Sequence, residues 1–418
     1  MTTISVLKVT LHGQLVGHLV GEKGGRNTLI FHSVFQQDSD KPTLTLAAHP
    51  RFPKADVFFS TPWKTQFVLP PVLSNLLPEG ALRELLLQRL QIHTSHEFEL
   101  LAHLGGDLPG ALVVQPVLAE EVPQEVLALN KKAVVIAPEA TLPNNKFSLA
   151  GVQMKWSLQR QGDRFTLPGK GAFGDWIIKT PSFHHAGAPV NEYTAMRLAQ
   201  LVGVETPEIC LVELSHIEGL PPIKLPDEPF AFAIKRFDRV AGQRVHTEDF
   251  AQVLLMQPRD KYQAANYEQM GRLLYEFSGN GLADVQQFAK RLLVNILLAN
   301  GDAHLKNWSL IYPDQKTPRL APAYDLVTTK VYIPGEKGAA LNMVKTKAWE
   351  SLSLAHFERW SRRVGVSWPV VQKQLGQSME MAREFWPRAL DELPMHSTHK
   401  AQLKQHWASL HLDFRIQS

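Results

Sequence analysis

The chain has 418 residues, enough for two or three domains that each bury their own core. Hydrophobic residues make up 44% and charged residues 20%, which excludes extensive disorder, and a net charge of +4 is too small to argue for nucleic-acid binding by itself. The single cysteine, Cys210, excludes an intrachain disulfide; with no basic leader and no run of eighteen apolar residues, a reducing, cytoplasmic setting without a membrane span is expected.

The first third alternates apolar and polar residues over 6–12 and 14–21 around a turn at Gly13, and 28–35 continues the pattern, so three strands are expected. Helices are expected over 81–90 and over 95–104, the second stopped by Gly105-Gly106, followed by a strand over 110–114. Residues 116–145, rich in Pro, Asn and Glu, read as a connector. From 146 to about 240 the expected strands are 146–158 (broken at Gly151), 175–180, 210–214 and 231–237, with a helix over 190–201. Cys210 falls inside one of these strands, a setting for a structural thiol and not for a nucleophile. Helices dominate from Thr247 on. Phe288, Leu292, Leu293, Ile296 and Leu297 mark one face of an amphipathic helix over 284–300, and extended pieces over 307–312 and 319–321 interrupt the helices. Trp360, Trp368, Trp386 and Trp407 in the helical tail are expected in the core.

Chemistry concentrates in Asn300-Gly301-Asp302-Ala303-His304-Leu305-Lys306-Asn307 and, downstream, Ala323-Tyr324-Asp325. An Asp, an Asn five positions on and a second Asp are the residue types that phosphoryl transfer uses. One carboxylate takes the proton of the attacking hydroxyl, and an amide oxygen and another carboxylate hold Mg²⁺. Such a fragment is also an ordinary turn composition. Lys179 closes the apolar run Trp176-Ile177-Ile178 and is either a phosphate-binding strand lysine or a strand-end lysine reaching into water. Glu192 either pairs with Lys179 or simply favours a helix start. Lys235-Arg236-Phe237 is either a lobe-linking hinge over an adenine or a solvated edge strand. His184, His185 and His304 lack metal-ligand spacing, so zinc is not expected.

Taken in order, these motifs resemble the HipA family of serine/threonine kinases, the toxins of bacterial toxin–antitoxin pairs. The resemblance is carried by Asn75-Leu76-Leu77-Pro78-Glu79-Gly80 and Ser148-Leu149-Ala150-Gly151-Val152-Gln153-Met154-Lys155. It continues through Ile178-Lys179-Thr180-Pro181, Asn191-Glu192-Tyr193, Arg236-Phe237-Asp238-Arg239, His246-Thr247-Glu248-Asp249-Phe250 and Lys261-Tyr262. It closes on 300–307 and Leu320-Ala321-Pro322-Ala323-Tyr324-Asp325. The resemblance implies an α+β, two-lobed protein-kinase-like fold: a β-rich N-terminal part with an extra N-terminal subdomain, then an all-helical C-terminal lobe. The implied divisions are the subdomain 1–115, the connector 116–145, an N-lobe with the nucleotide loop over 146–240 and a helical C-lobe with the catalytic loop over 241–418.

It further implies ATP and Mg²⁺ as cofactors, with Asp302 as catalytic base and Asn307 and Asp325 as metal ligands. ATP contacts would come from Ala150, Gly151, Val152, Gln153, Met154, Lys155, Lys179, Lys235, Arg236, Phe237, His304, Leu305, Lys306, Asn307, Tyr324 and Asp325. Ser148 matches the serine that the family autophosphorylates. Some relatives carry Glu at the position of Lys235, and a second serine two residues after the first is replaced here by Ala150. Implied partners are a DNA-binding antitoxin of the HipB type, with DNA reached only through it, and a protein substrate such as an aminoacyl-tRNA synthetase; no membrane is involved. Two other readings remain. A small-molecule kinase of the aminoglycoside or choline type would lack a block like 1–115. A pseudokinase scaffold or corepressor would have lost Lys179, Asp302 or Asp325, and all three are present.

Overall fold

The computed structural model describes residues 2–417 except 23, 54, 94–95, 130–132, 136–153, 168–172 and 221–223. The chain divides into two compact units. One comprises Met1–Phe147, Asp238–Arg259 and Ile311–Thr317; the other comprises Ser148–Phe237, Asp260–Leu310 and Pro318–Ser418.

The first unit is built on a sheet whose strands are β1 (Thr2–Leu11), β2 (Gln14–Glu22), β3 (Arg26–Phe31), β4 (Trp63–Gln66), β5 (Leu112–Pro116) and β6 (Ala133–Val135). Their order is β4-β3-β2-β1-β5, with β6 running parallel beside the start of β1. His12 and Gly13 link β1 to β2 with φ of +49° and +80°, the left-handed pair that lets a two-residue hairpin follow the strand twist. The strand expected over 28–35 ends at Phe31. His32 instead starts a short helix, Ser33–Gln37, whose spacing buries Phe35 and leaves Val34 63% exposed. Helices Gly80–Leu90 and Glu97–Leu104 fall where the sequence puts them. Buried Glu97 fixes the turn before the first of them, accepting from the Leu69 N–H and the Ser74 hydroxyl, both at 2.8 Å.

A second buried carboxylate closes this unit. Glu248 accepts from the Leu46 N–H at 2.8 Å and from the Tyr312 hydroxyl, while the neighbouring His246 ring stacks on Tyr312 and its Nε2 lies 2.9 Å from the Leu44 carbonyl. Burial pushes Glu248 up to about 7, against the pull of its Thr45, Tyr312 and Leu46 donors. The unfolded carboxyl ionises near 4.5. Between those two values the folded chain therefore holds a proton that the unfolded chain has lost, so this group's contribution to stability falls as pH rises from 4.5 to about 7. Glu248→Gln removes the titration. The stability difference, wild type minus variant, is expected to be less favourable to wild type at pH 8 than at pH 4, by up to about 3 kcal/mol. Urea unfolding at both pH values checks this, and an unchanged difference contradicts it.

The second unit opens with a sheet of order β10-β12-β9-β7-β8-β11. Its strands are β7 (Lys155–Gln161), β8 (Arg164–Thr166), β9 (Trp176–Lys179), β10 (Ile209–Glu213), β11 (Ile217–Glu218) and β12 (Phe230–Lys235). Leu158, Trp176, Ile178, Val212, Ala231 and Ala233 form its core. The helix Ala188–Leu201 packs on β10 and β12. The helices Tyr267–Phe277, Gly281–Leu297, Leu354–Val364, Trp368–Glu392 and Ser397–Ser409 follow. Asn266 starts the first of these with a reciprocal capping box to Gln269, and Asn280 caps the second.

Trp360, Trp386 and Trp407 are fully buried, and each indole N–H bonds a backbone carbonyl: Tyr267, Leu198 and Leu297. The last two carbonyls belong to the final turns of their helices, where no intrahelical donor exists. Trp368 departs from expectation. As the first residue of its helix it is only half-buried, and the remaining aromatic volume comes from Trp308 and Trp349. The extended interruptions expected around 307–312 and 319–321 are the short strands Ser309–Tyr312 and Arg319–Leu320.

Candidate active site

The site is assembled inside the second unit around one buried ammonium. Lys179 ends β9, opposite Lys155 of β7 and Phe232 of β12, and is 4% exposed. Its Nζ lies 2.5 Å from Glu192 Oε1 and also bonds Asp325 Oδ1. Lys155 reaches the other oxygen of Asp325 at 3.2 Å. Two lysines thus face two carboxylates. Burial alone would lower Lys179, but Asp325 and Glu192 outweigh it and hold the ammonium charged. Burial would likewise raise Asp325, yet Lys155 and Lys179 keep it well below the usual carboxylate range. Glu192 is pushed up by burial, because its one ammonium is shared with Asp325. Glu192 is therefore the partner of Lys179 and not a helix-start ornament.

Asp325 stands at φ +52°, a left-handed conformation that Asp tolerates better than most residues, and its neighbours hold it there. Asn191 makes a reciprocal pair with Thr328, its Nδ2 donating to the carbonyl at 3.1 Å and its Oδ1 accepting from the N–H at 2.9 Å. The Tyr324 hydroxyl lies 2.9 Å from the Lys306 carbonyl and 2.6 Å from Ser309 Oγ, which ties the Asp325 segment to the 302–309 loop. Thr329 Oγ1 accepts from the Gly301 N–H at 2.7 Å on the other side of that loop.

The loop itself begins where the helix Gly281–Leu297 ends in Ala299 at φ +51°. Asn295 and Asn300 are both buried and joined by a 2.8 Å bond; Asn300 Oδ1 then accepts the Asp302 N–H at 3.0 Å. The Asp302 side chain is 44% exposed, with His304 Nε2 3.7 Å from its Oδ1. Asn307 spends its Nδ2 on the Asp302 carbonyl at 2.7 Å, a bond that does not use its amide oxygen. An amide oxygen and a carboxylate fit a hard cation that keeps waters and phosphate oxygens in its remaining positions.

The other residues singled out by sequence fall as follows. Phe237 lies beside Tyr324, ring centroids 5.7 Å apart. Lys235 is exposed next to Glu208, and Arg236 is buried with Nη1 3.0 Å from Ser157 Oγ. Met154 is buried and paired through its backbone to Thr180. Leu305 is fully buried, so its side chain belongs to the core. Ser148, Ala150, Gly151, Val152 and Gln153 lie outside the described residues. Cys210 sits half-buried in β10, its thiol pushed up by burial, as a structural cysteine would be. Sequence assigned no individual role to Asn191, Asn300 or Tyr262, which stand in the motifs Asn191-Glu192-Tyr193, Asn300–Asn307 and Lys261-Tyr262, and none to Asn295 or Thr329. Asn191, Thr329 and Tyr262 staple the site from far away in the chain, whereas Asn295 and Asn300 act within a few residues.

A sheet antiparallel around Lys179, which presents that buried lysine to a helix glutamate, and a mainly helical body that carries the Asp/Asn loop define a two-lobed, kinase-like α+β fold; the body is not all-helical as expected, since Gly338–Met343 pairs with Thr346–Ala348. The HipA-like C-terminal domain matches residues 147–386 and the HipA N-terminal domain matches residues 7–115. The chain is 40% identical to the Sinorhizobium fredii protein named "Putative kinase Y4dM", over 94% of both chains. It is 26% identical to the serine/threonine-protein kinase toxin HipA of Shewanella oneidensis, over 64% of this chain and 65% of that one. A chain in the solved complex of Shewanella oneidensis HipA, HipB and operator DNA shares the fold, with a TM-score of 0.70 at 21% identity over 96% of this chain and 95% of that one. The chain belongs to the HipA family, a family of toxin-type serine/threonine kinases.

Lys179→Met leaves Glu192 and Asp325 facing each other in a dry site without their shared cation. Stability is expected to drop by about 3–5 kcal/mol, as when one partner of a buried ion pair is removed. Adding Glu192→Gln should recover part of the loss. Urea unfolding of the single and double variants measures both effects.

Proposed function

We propose that this chain is an ATP- and Mg²⁺-dependent serine/threonine protein kinase that acts as the toxin of a toxin–antitoxin pair. The observation that carries the reading is Lys179, buried and held between Glu192 and Asp325. A lysine so placed has no role in a solvated strand end. It fits one that draws the phosphates of a nucleotide toward Asp325 and Asn307. Mg²⁺, when bound, would neutralise phosphate charge and align the phosphate to be transferred. Asp302 accepts the proton of the incoming serine or threonine hydroxyl, while Asn300 and Asn307 fix its backbone. Phe237 and Tyr324 offer aromatic cover for the base, and the 235–237 backbone offers its polar edge.

Lys179, Asp302 and Asp325 are all present with the partners such chemistry needs, which favours an active enzyme over a pseudokinase scaffold. The match of 7–115 to the HipA N-terminal domain favours a protein kinase over a small-molecule kinase. The partner is an antitoxin of the HipB type, which would carry the DNA contact, since the chain's net charge is only +4. The solved Shewanella complex, which contains HipA, HipB and operator DNA, supports that reading. The substrate is a protein, with aminoacyl-tRNA synthetases the first candidates, and the site of self-modification is Ser148. No described helix is long and apolar enough to cross a membrane, which accords with a place in the cytoplasm.

Asp302→Asn keeps the size of the side chain but removes the base, so ATP is expected to bind while transfer falls by about 10²–10⁴. Asp325→Asn is expected to weaken nucleotide binding specifically in the presence of Mg²⁺. Calorimetry with and without the metal, together with transfer of labelled phosphate to the chain and to lysate proteins, reads both effects. Phosphosite mapping of the labelled chain should find Ser148. Wild-type transfer rates in Asp302→Asn would remove Asp302 as the base.

A further inference from the structure

The motif Lys261-Tyr262 is left without a task by the chemistry above, yet the fold brings it directly onto the catalytic loop. Tyr262 follows the short turn Pro258–Asp260 and remains 39% exposed. The Lys261 carbonyl accepts the Leu305 N–H at 3.3 Å, which docks this segment on the loop one residue beyond His304. The Tyr262 ring meets the His304 ring edge-on, centroids 4.9 Å apart, and its hydroxyl donates to Asp302 Oδ1. The Lys261 ammonium lies 5.5 Å from the centre of the same phenol ring.

These contacts solve a specific problem. Asn300 and Asn307 hold the backbone of Asp302 through its N–H and its carbonyl, but neither touches the carboxylate. A half-exposed carboxylate on a fixed backbone still turns among rotamers. Tyr262 supplies the missing restraint by bonding Oδ1, the oxygen that also faces His304 Nε2 at 3.7 Å. Among the described residues none donates to Oδ2. We propose, on the basis of the kinase reading, that Tyr262 is a positioning residue for phosphotransfer: its hydroxyl locks Asp302 through Oδ1 so that Oδ2 points to the acceptor hydroxyl.

Tyr262→Phe keeps the ring, its contact with His304 and the Lys261–Leu305 bond, and deletes only the hydroxyl. The expected result is a fall of about 10- to 100-fold in the single-turnover rate of phosphate transfer, the worth of one hydrogen bond to a charged group. The ATP concentration at half-saturation and the melting temperature should stay at wild-type values, which a merely structural role would not produce. In an Asp302→Asn background the same substitution should cost little more, because the two act as one unit. A readout independent of activity uses 3-fluorotyrosine at position 262: its ¹⁹F resonance in the nucleotide-free chain should move on Asp302→Asn. An unchanged transfer rate in Tyr262→Phe, or a fluorine resonance blind to Asp302→Asn, overturns the proposal while leaving the kinase reading intact. Labelled phosphate found on Tyr262 itself also overturns it, since the phenol would then be an acceptor. A wild-type chain that transfers no phosphate to itself or to lysate proteins sinks the kinase reading and this role with it.

Discussion

Everything at the candidate site depends on one ammonium being charged where water is scarce. Lys179 is buried against Glu192, thirteen residues away, and Asp325, 146 residues away. Burying a charge is costly unless its partners are already in place, so the pairing tolerates little slack in any of the three elements. β9 must end at Lys179, the helix Ala188–Leu201 must lie on the sheet with Glu192 turned inward, and the Asp325 segment must reach back to both lysines. That requirement explains why so many polar side chains near the site bond to backbone. Asn191 pins Thr328, Tyr324 pins Lys306 and Thr329 pins Gly301, each fixing a segment that carries a charged group.

The same arrangement makes the site responsive. Both oxygens of Asp325 are taken by lysines, one buried and one, Lys155, exposed. In the kinase reading both lysines are phosphate ligands. In that reading, a lysine that turned toward phosphate would loosen its hold on Asp325 and leave a carboxylate oxygen for a cation.

Residue type and local period made much of this legible in the sequence. The apolar run before Lys179, the Asp302 and Asn307 spacing and the amphipathic face of Phe288, Leu292 and Ile296 each report something within a few residues of itself. Where the local signal misled, long-range packing decided. Residues 28–35 read as one strand, but the fit of Phe35 in the core selected helix after Phe31. Trp368 looked like its neighbours in composition, but its place at the head of a helix left it half in water. The staples were illegible for a different reason: Asn191, Thr329 and Tyr262 are ordinary polar residues whose partners lie 137, 28 and 40 positions away. Nothing in their immediate sequence distinguishes a hydrogen bond to a distant loop from one to solvent.

Directional bonds, more than apolar packing, govern the Asp/Asn loop, and its backbone shows why. The helix before it stops at Ala299 in a left-handed conformation, which for a residue with a Cβ costs about 1–2 kcal/mol. Asp325 carries the same kind of strain on the other side of the site. Apolar contacts are non-directional and would let both segments relax. Hydrogen bonds from buried Asn295 and Asn300, and from Thr329, fix orientation as well as position, and leaving them unmade in a dry interior would cost more than the strain they oppose. The loop is thus held in a conformation it would not choose alone, with the Asp302 carboxylate half-exposed. On that fixed backbone, the Tyr262 bond to Oδ1 can set the direction of a side chain 44% exposed to solvent.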